Sequence, residues 1–180
     1  MAQSTVSIQK ILLTTVNLMK SKSYVDITIK DICESADISR QTFYNHFKTK
    51  DDIFKTFFKN LSEKGDIFSP DRPAAYYFSR QYKYDIVSLY DKYSDIFFVL
   101  FEQDILWYLG REFVTSHRES IFKNISDEFI GSHQNYFYMY TYLGISQICL
   151  EWIRTGKKET KEELVDMIEY FDTYHRPKNI

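Results

Sequence analysis

Residues 28–53 read TIKDICESADISRQTFYNHFKTKDDI, and within twenty-six positions the chain signals three helix starts. Thr28 is a good N-cap with Asp31 placed to return the hydrogen bond, and Ile27 and Ile32 stand at hydrophobic-staple positions. Ser39 repeats the pattern with Ile38 and Phe43, and Thr49 with Asp52 completes a third start. The spacing predicts two short helices, over 29–36 and 40–46, joined by ADIS, and a longer one from about residue 50 presenting Ile53, Phe54, Phe57 and Leu61 on one side.

A helix of barely two turns is not stable alone in water. The second short helix must therefore be held by packing, through Phe43 and Phe47, against Ile32 and an N-terminal helix. That N-terminal helix is legible from Ser4 to Lys22, where Ile8, Ile11, Leu12, Val16 and Met19 recur at three- and four-residue spacing. Once Phe43 and Phe47 face inward, Arg40, Gln41, Thr42, Tyr44, Asn45 and His46 are left on the outer face or flanking it, and every one of them is a hydrogen-bonding group.

Two short helices on a four-residue turn, backed by a third, describe a helix-turn-helix. The first turn of its second helix enters the major groove. Arg40 there offers a bidentate contact to guanine and Gln41 one to adenine, while Thr42 could meet a thymine methyl group. Ser39 caps that helix and Asn45 flanks it; Tyr44, His46, Lys48 and Lys50, toward its end and the next cap, suit the phosphate backbone. Thr28 and Lys30 open the preceding helix and could reach another phosphate.

Charge agrees weakly with a polyanion partner for this part of the chain. The net charge is −2 overall, but residues 1–60 carry nine Lys/Arg against six Asp/Glu, so the remainder is acidic. With 44% apolar and 18% aromatic residues, 180 positions suffice for one large or two small domains with a substantial core. Five Gly and three Pro disfavour a turn-rich β fold. Cys33 and Cys149 fit no zinc spacing, and with no secretory signal they point to reduced thiols in the cytoplasm. His117, His133 and His175 are too scattered for a metal site. Apolar runs such as DIFFVLF at 95–101 are far short of the roughly twenty residues a membrane span needs. No nucleophile–base set, phosphate loop or carboxylate pair stands out, so neither catalysis nor a cofactor is expected.

DIFSPDRP at 66–73, with two prolines, marks the domain boundary, giving a head over 1–65 and a body over 66–180. Helical breaks are expected near Gly110, at GSH 131–133 and at Gly156, the last a C-cap followed by a Thr160–Glu163 capping box and a helix to about Tyr174. No stretch alternates at period two. The expectation is an all-α chain of about nine helices.

Residues 28–53 closely resemble the DNA-binding segment of the TetR family of bacterial transcription regulators. The resemblance is carried by Thr28, Ile32, Ala36, Ser39, Phe43–Tyr44, His46–Phe47, Lys50 and the acidic pair before Ile53. Asp37 stands where the family usually carries Gly, and Gln41 where it often has a small residue. Residues 141–168 are similar to the last two helices of a subgroup that includes regulators of dihydroxyacetone use.

The resemblance implies a homodimer on a palindromic double-stranded DNA operator, built through the last two helices, where Met139, Leu143, Ile148, Trp152, Leu164 and Ile168 form an apolar stripe. It also implies an effector site in the body. Residues 76–142 hold twenty aromatics, and Tyr82, Tyr90, Tyr93, Phe97, Phe101, Trp107 and Tyr108 are the residues that would line it. Repression released by a small molecule is the default expectation. Activation gated by a protein co-regulator, and a helical ligand carrier without specific DNA binding, are the alternatives.

Overall fold

The computed structural model describes residues 2–64, 67, 72–111, 115, 118 and 132–174. Most of the 66–73 boundary stretch, together with His117, Gly131 and His175, lies outside them. The chain is all-α, and among the described residues there is no strand. They group into two units, Met1–Lys64 with Val99–Thr115, and Gly65–Phe98 with Ser116–Ile180. The head therefore takes a segment, 99–115, from the stretch that the prolines alone would give to the body.

In the head, α1 (Ala2–Met19) buries Ile11, Val16 and Met19 and leaves Ile8 and Leu12 half-buried. A 3-10 turn, Tyr24–Asp26, leads into α2 (Ile29–Ser35). The Thr28–Asp31 capping box is complete, with Asp31 N–H donating to Thr28 Oγ1 at 3.1 Å and Thr28 N–H to Asp31 Oδ2 at 2.8 Å. The next helix, α3 (Arg40–Tyr44), is shorter than expected and starts on Ser39, whose Oγ accepts from Thr42 N–H at 3.0 Å. Finally α4 (Asp51–Lys64) buries Ile53, Phe54, Phe57, Phe58 and Leu61. Its start differs from a full capping box: the Asp52 carboxylate accepts from Lys48 and Thr49 N–H at 3.0 and 2.8 Å, and the helix begins two residues after Thr49.

The turn between α2 and α3 depends on Asp37, which sits at φ 49°. Asp37 N–H donates to Glu34 O at 3.2 Å and Ile38 N–H to Cys33 O at 3.0 Å, the double bond of a Schellman motif. Aspartate tolerates the left-handed region better than most residues but less well than glycine. Asp37→Gly should therefore raise thermal stability by up to about 1 kcal/mol, and Asp37→Val should lower it by roughly 1–2 kcal/mol. A melting curve on which the valine variant matched the wild type would contradict this account of the turn.

In the body unit, α5 (Ala74–Tyr77) precedes α6 (Arg80–Lys92), which runs against both α9 (Gly144–Arg154) and α10 (Lys161–Tyr174). The core here is aromatic and aliphatic: Tyr82, Ile86, Val87 and Tyr90 from α6 meet a face containing Tyr142, Cys149, Leu150, Leu164 and Ile168. Polar ties flank the α6–α10 seam. Arg80 pairs with Asp166 at 2.6 Å, and the buried Lys83 ammonium sits between Glu169 and Asp172 at 3.2 and 3.0 Å. Gly156, at φ 89°, ends α9 as expected, with Lys157 N–H on Trp152 O at 2.8 Å. The Thr160–Glu163 capping box then starts α10.

Two features depart from expectation. Gly110 is not a break: residues 106–111 are helical, and a Cβ on Gly110 would meet the Phe58 ring at 3.4 Å, an ordinary van der Waals contact. Between α8 (Gln134–Tyr138) and α9, Met139–Leu143 form a π-helical turn, a register that no local pattern announces. The remaining helix, α7 (Ser94–Glu102), starts among residues of the body unit and ends among those of the head. No helix of the described residues is long and apolar enough to cross a membrane.

Candidate nucleic-acid interface

The anchor of the site is apolar. Phe43 and Phe47 are buried with ring centroids 5.7 Å apart, which fixes the rotation of α3 about its axis. Helical geometry then dictates what faces out. Arg40, Gln41, Tyr44, Asn45 and Lys48 are exposed, and Thr42 and His46 are half-buried. Tyr44 is 53% exposed, yet its ring is braced edge-on by Phe43 at 5.6 Å, so an outward phenol stands on a fixed base.

The polar groups on this side are partly ordered among themselves. Gln41 Nε2 donates to Asn45 Oδ1 at 3.0 Å, which aligns the carboxamide along the helix, and Ser39 and Thr42 hydroxyls lie 2.9 Å apart. Among the described residues no ion pair or hydrogen bond engages the Arg40 guanidinium, and a cation left this way at the first turn of a helix is available to an anion or a base edge. Lys30 is exposed with Glu34 3.7 Å away, a weak pair that a phosphate can displace. The Thr28 hydroxyl is occupied by its own capping box.

Lys50 has a different role from the other cations. Its ammonium donates to the carbonyls of Tyr24, Val25 and Ile27, the last two at 3.2 and 2.9 Å, and lies 4.4 Å from the Tyr24 ring centroid. Three donors meet three acceptors, so Lys50 holds the turn before α2 and has none left over for a phosphate. Burial pulls its pKa below the usual lysine value. The hydrogen bond from Lys22, with those from Thr28, holds the Asp31 carboxyl well below its usual range. The Lys22–Asp31 tie, 2.8 Å long, is thus complete at neutral pH and is lost only as the carboxylate protonates in acid. Cys33 is buried, and desolvation pushes its thiol upward, away from the reactive thiolate.

Residues 11–56 match the model of the bacterial regulatory proteins, tetR family. The head of the chain is therefore similar to the DNA-binding segment of that family. Over 44 residues it is 41% identical to the HTH-type dhaKLM operon transcriptional activator DhaS of Lactococcus lactis subsp. lactis (strain IL1403), a match covering 24% of either chain. The alignment thus spans about a quarter of that curated relative. Two solved structures share the fold over nearly the whole length. The TetR transcriptional regulator from Streptococcus agalactiae 2603V has a TM-score of 0.62 at 19% identity, covering 98% of this chain and 97% of that one. The dihydroxyacetone kinase operon activator DhaS has a TM-score of 0.58 at 18% identity, covering 92% and 93%. At those identities the likeness shows the fold and nothing further.

The residues named for an effector site are divided between the two units. Tyr82, Tyr90 and Phe97 are packed inside the body unit, with Tyr90 stacked on Phe97 at 4.1 Å, and Tyr93 is half-buried there. Phe101, Trp107 and Tyr108 belong to the head unit, where Trp107 and Tyr108 are exposed. Counting aromatics along the chain could not show this division, because it depends on where α7 crosses.

The apolar stripe expected for the dimer also divides. Trp152, Leu164 and Ile168 are buried in the chain's own core, and Trp152 Nε1 donates to Glu159 O at 2.9 Å. Leu143 and Ile148 are half-buried, while Met139 is 61% exposed. Met139 joins Tyr140, Gly144, Ile148 and Phe171 around an open groove of about 530 Å3, with Tyr136 and Tyr170 also exposed nearby in sequence. Tyr140 and Phe171, which the stripe spacing did not pick out, line the same groove.

Proposed function

We propose that the chain is a homodimeric, DNA-binding transcription regulator that places α3 of each copy in successive major grooves of a palindromic operator. The observation that carries this is the two-sidedness of α3: Phe43 buried beneath, Arg40, Gln41, Tyr44 and Asn45 exposed above, with Arg40 unengaged among the described residues. Arg40 and Gln41 read bases; Tyr44, His46, Lys48 and Lys30 hold phosphates, and Ser39, Thr42 and Thr28 order the backbone that presents them. A partner copy seated on the Met139–Phe171 groove would cover the exposed apolar side chains of the body, and a palindromic operator requires the two α3 helices roughly 34–36 Å apart, or a multiple of that.

The test is binding to a duplex selected by the wild-type chain from a random-sequence pool, measured across salt. Each phosphate contact contributes about −0.9 to the slope of log affinity against log salt, so several contacts give a steep line. Arg40→Ala and Gln41→Ala should each cost roughly 1–3 kcal/mol on the selected site and relax preference at one position. If both left base preference untouched, another element reads the sequence; if no duplex were selected, a ligand carrier would be the better account.

Repression follows from operator occupancy, which blocks polymerase without further machinery. Activation is the second reading, and a specific observation favours it: the relative matched through the head and one of the two fold relatives both carry the name of activator. A reporter gene placed behind the selected duplex, with the chain present and absent, reads the sign directly.

A further inference from the structure

One side-chain amide serves three backbone groups in the turn that follows α1. Gln103 Nε2 donates to Met19 O at 2.7 Å and to Lys22 O at 3.3 Å, and Gln103 Oε1 accepts from Tyr24 N–H at 2.6 Å. Met19 is the last residue of α1, so its carbonyl has no intrahelical partner and would need one from elsewhere. From its other end the same turn is held by Lys50 on the carbonyls of Tyr24, Val25 and Ile27. The Tyr24 phenol donates to Asp51 Oδ1 at 2.7 Å, and Tyr108 donates to the other oxygen of that carboxylate at 3.2 Å. Segment 99–115 therefore grips the head at two points, both of which converge on residues 19–27.

The turn is in turn tied to α2. Lys22 Nζ bonds Asp31 Oδ2 at 2.8 Å, and Asp31 is the carboxylate of the capping box that starts the helix. A continuous series of hydrogen bonds thus runs from Gln103 through the turn to the first residues of α2, next to Thr28 and Lys30.

We propose that Gln103 is a positioning residue for duplex binding: by holding the turn 19–27 it sets where α2 stands beside α3, and so which phosphates the head reaches. This rests on the DNA-binding reading above. Gln103 touches no base and no phosphate; it acts through Met19, Lys22 and Tyr24. It also follows directly on α7, whose first residues group with the body and whose last group with the head.

The test uses the full chain and a duplex selected by the wild type, comparing Gln103→Ala and Gln103→Glu. The glutamate keeps an acceptor for Tyr24 N–H and loses the donor to Met19 and Lys22. The alanine variant should bind roughly tenfold more weakly, the glutamate variant less weakly than that, with base preference retained in both. The deciding readout is the salt slope. Loss of positioning removes phosphate contacts and makes the slope shallower by about one to two units, at roughly 0.9 per contact. A merely structural role lowers the folded fraction and weakens binding at an unchanged slope, which would overturn the proposal, as would affinity equal to the wild type. If the alanine variant does not fold, the glutamate variant gives the same readout. A wild type that selects no duplex removes the DNA-binding reading itself, an outcome distinct from either.

Discussion

Phe43→Ala is expected to remove duplex binding altogether at temperatures where the wild type binds. Phe43 is fully buried, and α3 has only five helical residues, too few to persist without an anchor. Truncating a buried phenylalanine costs about 3–5 kcal/mol, from lost transfer energy and the cavity left behind. A domain is stable by only about 5–15 kcal/mol in total, so the loss takes a large share of it. The effect should concentrate in the head, since Phe43 packs there with Phe47 and sits beneath Tyr44. Hydrogen exchange should show the α2–α3 amides losing protection first, while the amides of α6 and α9 in the body unit keep theirs. A Phe43→Ala chain that still bound its selected duplex with wild-type affinity would mean that α3 does not present the reading face.

Met139→Glu combined with Phe171→Glu is expected to convert the proposed dimer into a monomer. Both side chains are largely outside the chain's own core, at 61% and 42% exposed, so the carboxylates meet water in the isolated chain and folding is preserved. Across an interface the same carboxylates would be buried without partners, at a cost that exceeds what the apolar contact supplies. The consequence for binding is multiplicative. A dimer engages its second half-site intramolecularly, and losing that linkage costs on the order of 10²–10⁴ in affinity without touching α3. Sedimentation or light scattering gives the mass and the duplex titration gives the affinity. Leu164→Glu is the informative contrast: Leu164 is buried, so that substitution should unfold the body instead of splitting a dimer. A double variant that stayed dimeric would place the interface on another face.

What was legible in the sequence, and what was not, separates by the range of the interaction. The caps at Thr28, Ser39 and Thr160, and the Gly156 stop of α9, all follow from bonds between residues three to five apart, and such bonds are visible in a linear string. At Asp37 the turn was implied by the family resemblance, which usually has glycine there, and the aspartate adopts the left-handed conformation. Periodicity gave the inward placement of Phe43 and Phe47, hence the outward set on α3, before any coordinates.

Where a side chain had to choose among distant partners, local rules were silent or misleading. Lys50 looked like a phosphate ligand by position, yet three carbonyls more than twenty residues away claim its ammonium. Gln103 carried no signal at all, because its partners, Met19, Lys22 and Tyr24, lie about eighty residues back along the chain. Gly110 suggested a helix end, yet the helix over residues 106–111 includes it.

The sequence by itself therefore determined the all-α class, the helix starts and the polar face of α3, because backbone hydrogen bonding and the 3.6-residue period are properties of neighbouring residues. Tertiary structure alone decided that segment 99–115 joins the head, which aromatics of that stretch are buried and which exposed, and which apolar residues near α8 to α10 remain uncovered. Each of these depends on which of several equally apolar surfaces meet, and burial rewards apolar contact without regard to where along the chain the partner lies.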